Sequence, residues 1–177
     1  MKHARFSLVV LFLLSGSAHA QEVTIPANIE RLAARAADTV NVTVDGALLR
    51  LAARFLSSRD PDQQAVRRLI GNIKGIYVRQ FAFDAAGQYT DADVDSLRVQ
   101  LKAPQWSRMA SVRSQREGEN VEVYLRMEND QISSLAVIAA DPRELTFVNV
   151  VGPIDLDGLA DLGGHFGIPR VRLLRGK

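Results

Sequence analysis

The chain has 177 residues, 47% of them apolar and 24% charged, and it contains no cysteine. That mix suits one globular domain able to bury a core, and it excludes a disordered or low-complexity chain. Without cysteine there is no disulfide framework, thiolate metal site, cysteine nucleophile or lipid-modified cysteine. The 22 Lys and Arg against 20 Asp and Glu make the whole chain mildly basic.

Residues 1–20 read as a secretory signal. Lys2, His3 and Arg5 form a positive start, Phe6 to Leu14 is almost wholly apolar, and Ala18-His19-Ala20 offers a signal-peptidase site. Cleavage is expected after Ala20. An apolar run of about nine residues falls short of the roughly 20 needed to cross a bilayer, so a membrane anchor is not expected. Removing Lys2 and Arg5 leaves 20 bases against 20 acids, a neutral mature chain. The protein is therefore expected to be periplasmic or secreted, with residues 21–177 forming a single α+β domain.

A helical face runs over 28–37 through Ile29, Leu32, Ala33 and Ala36. Val40, Val42 and Val44 alternate with polar residues, which predicts a short strand. Ala47 to Leu56 is helical, with Leu48, Leu51, Ala52 and Phe55 on one stripe. Asp60-Pro61 opens the next helix, and Gly75 is its expected stop. Ile76 to Phe83 reads as a strand whose apolar register switches, by a bulge or by burial on both faces. Thr90 and Asp93 have capping-box spacing for a helix that Pro104 ends.

Four strand-like runs then follow, over 108–116, 121–128, 132–140 and 145–151. Their short connections predict an antiparallel meander whose apolar face the helices must cover. In the second run Val121, Val123, Leu125 and Met127 alternate with Glu122, Tyr124, Arg126 and Glu128. Asp155 caps a last short helix through Leu156, Leu159 and Leu162. The fold class is α+β, with an antiparallel sheet, a four-stranded C-terminal meander and helices packed on one face.

Catalytic groups are sparse. His165 is the sole histidine of the mature chain, and no serine elbow, phosphate-cradling loop or zinc-ligand spacing accompanies it. Asp91, Asp93 and Asp95 alternate like a calcium loop, but Ser96 and Lys102 stand where that loop needs glycine and glutamate. Asp155 and Asp157 adjoin the last helix near His165, an arrangement a carboxylate-based hydrolase would need to bring together. Trp106 with Arg108 is either a binding anchor or an aromatic lid on the core, and the lid is the favoured reading. No catalytic residue, cofactor or metal is expected. Residues from about 168 to 177 form a basic tail with Arg170, Arg172, Arg175 and Lys177.

Val42-Thr-Val-Asp-Gly-Ala-Leu-Leu49, Gly75-Ile-Tyr-Val-Arg79, Tyr124-Leu125-Arg126 and Val151-Gly-Pro-Ile-Asp-Leu156 together resemble an exported bacterial family catalogued as domain of unknown function 4252. The resemblance spans Val40 to Leu162 and rests on core and turn residues. It implies export but carries no activity and no catalytic residues. Some members look like lipoproteins, whereas this chain lacks the cysteine. The first expectation is a non-enzymatic module that binds an envelope protein partner, with a role in envelope sensing and no nucleic-acid ligand. A carrier of an apolar small molecule, lined by Ile132–Ala140, is the second. A hydrolase using Asp155, Asp157 or His165 is the third.

Overall fold

The computed structural model describes residues 23–56, 59–116 and 118–154. In chain order they form α1 (Ala27–Glu30) running into a 3-10 turn (Arg31–Ala34), β1 (Asp38–Asp45), α2 (Gly46–Phe55), α3 (Pro61–Gly71), β2 (Gly75–Ala82) and α4 (Asp91–Arg98), followed by β3 (Trp106–Ser114), β4 (Glu119–Glu128), β5 (Gln131–Asp141) and β6 (Glu144–Ile154). The six strands make one sheet in the order β1-β2-β6-β5-β4-β3, and every neighbouring pair is antiparallel. The C-terminal four strands form the expected meander. The expected final helix lies outside the described residues.

Local chemistry explains most element ends. Thr90 and Asp93 make a full capping box, so two otherwise unpaired amides of α4 are satisfied reciprocally. Asp45 accepts from the Leu48 amide at the start of α2, and Asp60 from the Gln63 amide at the start of α3. Asn129 and Asp130 both have positive φ and close the β4–β5 hairpin, the geometry that matches strand twist in a two-residue turn. The Asp141 carboxylate accepts from the Arg143 and Glu144 amides and shapes the β5–β6 turn. Gly75 is a correction to the sequence reading. The helix already ends at Gly71, and Gly75 opens β2, where an added Cβ would lie 2.7 Å from the Tyr77 hydroxyl. The register of β2 runs without a bulge on both sides, so its switching pattern reflects apolar residues on both faces.

Residues opposite one another on antiparallel strands share a face. One face carries Phe81, Leu145, Phe147, Ile138 and Ala136, all nearly inaccessible. Val23, Ile29, Leu32, Val94, Leu97 and Leu101 close over it in a single buried cluster. This is the main core, supplied by α1, the 3-10 turn and α4. The expectation of helices on one face needs correction for α2 and α3. Leu49, Ile73 and Ile154 form a second, smaller cluster over Val44, Ile76, Val150 and Leu135, which lie in one row on the opposite face.

Gly152 sits where β6 passes the loop after α3. Its φ is +133°, and an added Cβ would stand 2.7 Å from the Asn72 carbonyl oxygen and 2.8 Å from the Lys74 amide nitrogen. Backbone cannot yield there as a side chain can. Gly152→Ala is expected to cost about 2 kcal/mol or more. Gly71→Ala, with nothing within 4 Å, should stay within about 1 kcal/mol of wild type. Urea unfolding of the two variants measures the difference.

Candidate functional site

The most concentrated group of polar side chains lies where α4 meets β4. Strand β4 presents Glu122 and Tyr124 to the helix-covered face, and both are buried, at 3% and 5% exposure. Arg98, at the end of α4, reaches down to Glu122. Its Nη2 donates to Oε1 at 2.7 Å, and its Nε lies 3.1 and 3.2 Å from the two carboxylate oxygens. Nη1 donates to Asp95 at 2.8 Å. Asn120 Nδ2 donates to Glu122 Oε1 at 2.9 Å, and the Tyr124 hydroxyl donates to Oε2. One buried carboxylate thus accepts from three side chains.

This arrangement fixes charge. Burial alone would raise the Glu122 pKa, but hydrogen bonds from Arg98, Tyr124 and Asn120 and the guanidinium charge hold it below the ordinary carboxyl range. Burial would lower the Arg98 pKa, and its bonds to Glu122 and Asp95 push it up instead. Burial and the bond to Glu122 raise that of Tyr124. Each group is driven away from neutrality. A general acid or base works best with a pKa near the working pH, so the triad is built as a clamp between helix and sheet.

A cavity of about 290 Å³ opens beside it, lined by Tyr89, Thr90, Asp91, Arg98, Asn120 and Asp141 among others. The Tyr89 hydroxyl is within hydrogen-bonding reach of the Asp141 and Glu144 carbonyls. Burial, then the charges of Asp141, Asp91 and Glu144, push its pKa to about 12, so it stays a neutral donor. Asp93 is held below its ordinary value: burial opposes this, and the bonds from Asn28 and Thr90 outweigh it. A smaller cavity of about 130 Å³ lies at the other end of the sheet, between Lys74, Arg126, Glu128 and Gly152. Among the described residues no group of three His, Asp or Glu side chains is placed to hold a metal ion.

Of the residues singled out in the sequence, Trp106 is 6% exposed and belongs to the main core cluster. Arg108 is exposed on the same strand, next to a bulge before Ala110. The two do not form a joint surface anchor. Asp155, Asp157 and His165 lie outside the described residues. Ala136 and Ile138 of β5, where an apolar carrier would need space, are packed into the main core. Two features escaped the sequence reading. The alternation of β4 gives no sign that Glu122 is buried, because a polar residue in such a strand ordinarily faces water, and no local signal ties it to Arg98 on α4. The stripe on α2 was visible, yet Leu48, Leu51 and Phe55 are 51, 47 and 83% exposed, while Leu49 and Ala53 are the buried residues.

A family model described as "Domain of unknown function (DUF4252)" matches residues 34–162. No curated protein and no solved structure matches the chain.

Arg98→Ala leaves the Glu122 carboxylate buried without its cation. A loss of about 3 kcal/mol is expected at pH 7, the low end for a broken buried pair because Arg98 keeps some solvent contact. Glu122 has a lowered pKa in the folded state. Its contribution is therefore complete above the ordinary value of 4.5 and fades as pH falls through the lowered one. The gap between wild type and variant should narrow below about pH 4. Denaturant titrations at pH 7 and pH 3 read both effects.

Proposed function

This chain belongs to the DUF4252 family, and we propose that it is an exported, non-enzymatic module that binds a protein partner in the bacterial envelope, in a sensing role. The supporting observation is the outer side of α2. Leu48, Leu51 and Phe55 stand at i, i+3 and i+7, so they form one apolar stripe, and Phe55 is 83% exposed. Isolated apolar residues on a surface are ordinary, but a large aromatic flanked by two leucines at helical spacing is the anchor of a helix-in-groove contact. Burying such an aromatic is what dominates interface energy. Arg98 and Glu122 hold fixed charges and Tyr124 stays a neutral donor, a set suited to holding an arrangement more than to moving protons. Export rests on the three-part segment ending at Ala20. No helix among the described residues is long and apolar enough to cross a membrane.

A photo-crosslinking residue in place of Phe55, introduced in cells, should give one reproducible adduct with an envelope protein, and Leu48→Asp or Leu51→Asp should abolish it. Adducts that are absent, or unchanged in those variants, remove the partner-binding reading. N-terminal sequencing of the chain recovered from the periplasm should begin at Gln21. A chain retained in the cytoplasm with Met1 intact removes the export reading.

A further inference from the structure

The sheet face away from the main core is apolar and largely open. Val42, Val78, Val148, Val137 and Val123 lie directly opposite one another on β1, β2, β6, β5 and β4, a valine row that Ala110 of β3 completes. None of the five is buried, and Val42 is 38% exposed. The next row is mixed, with Gln80, Thr146 and Ala139 at its centre between Val40 at 39% and Val121 and Val112, the last at 65%. The small cluster of Leu49, Ile73 and Ile154 covers one end of this face only.

The opposite end is acidic. Asp38 faces Ala82, Ala82 faces Glu144, and Glu144 faces Asp141. Glu119 continues this end of the face on β4, opposite Ser114. Among the described residues none of these four acids pairs with a Lys or Arg. No base stands on the strands' open face. A second copy docked by the same face would set no base of its strands against them.

The chain itself supplies that charge. Strand β6 delivers it at Ile154, on this face and at its covered end. Asp155–Lys177 then carries Leu156, Leu159 and Leu162 at helical spacing, Phe166 and Ile168, and finally Arg170, Arg172, Arg175 and Lys177 with no acid among them. The reach is sufficient. From Ile154 to the acidic end is the length of β6, about 33 Å. Eight residues from 155 would span about 12 Å if helical, and the next eight about 26 Å if extended. We propose that Asp155–Lys177 lies across the open face, its apolar residues on the valine row and its basic end on Asp38, Glu119, Asp141 and Glu144.

Zero-length carbodiimide coupling of the full chain tests this directly. Lys177 should be joined to Glu144, Glu119, Asp38 or Asp141 within one molecule, shown by mass spectrometry on mixed isotopic chains. With no native cysteine, Val148→Cys adds a single thiol at the centre of the face. That thiol should react at least about tenfold more slowly in the full chain than in one ending at Ile154, as a covered site does. Arg170→Glu, Arg172→Glu and Arg175→Glu together should speed the reaction while keeping chain length, which covers the case of a truncation that fails to fold. Lys177 coupled only elsewhere, or thiol rates unmoved by charge reversal, overturn the proposal. So does protection that vanishes on dilution as a dimer dissociates, which would assign the face to a second copy.

Discussion

An antiparallel sheet has two faces, and each apolar one must be kept from water. Six strands make a broad sheet, and α1, the 3-10 turn and α4 suffice for one side. They close over Phe81, Phe147, Leu145 and Ile138, each all but inaccessible. The remaining pair, α2 and α3, is held near one corner because Gly46 follows β1 directly and Gly75 opens β2 four residues after α3 ends. The two helices are tethered between neighbouring strands, and the cluster they form reaches Leu135 of β5 but no residue of β4 or β3. The uneven cover of the second face follows from that connectivity.

Much of the molecule is legible in the sequence because its signals are local. The Thr90–Asp93 box, the Asp60 cap and the hairpin turns act over two to four residues, and each appears where the spacing places it. The family resemblance, too, agrees with the matched span 34–162. What escapes local reading is which side of a strand the helices choose. In β4 the valines alternate cleanly with Glu122 and Tyr124, and the natural inference turns the valines inward. The structure does the reverse. Period two fixes that the two sets face opposite ways, not which of them meets α4. Arg98, 24 residues away from Glu122, settles the choice by giving the carboxylate a partner it has only in the folded chain. The same limit explains α2, where Leu49 and Ala53 face inward and the stripe through Phe55 does not.

A buried carboxylate gripped by a guanidinium, a phenol and an amide is costly to assemble and adds little net stability over an apolar core. Its value is specificity of arrangement. Hydrogen bonds to Glu122 are directional, so α4 is held at one angle and one depth on the sheet. An all-leucine contact would permit sliding. The cavity at the start of α4 shares two lining residues, Arg98 and Asn120, with this network.

The bulge at Met109 acts as a phase shifter within a single strand. Before it, Trp106 and Arg108 share the core side with Arg126 and Tyr124. After it, Ala110 and Val112 fall on the open side, and Met109 stands out at 55% exposure. One inserted residue thus lets one edge strand serve the closed core with its first half and the valine face with its second. Removal of Met109 would close the ladder with every pair kept, since Arg108 opposite Tyr124 and Ala110 opposite Val123 are already consecutive pairs on β4. Trp106 and Val112 both keep their sides in that shorter strand, so a one-residue deletion in this family should be accommodated at Met109.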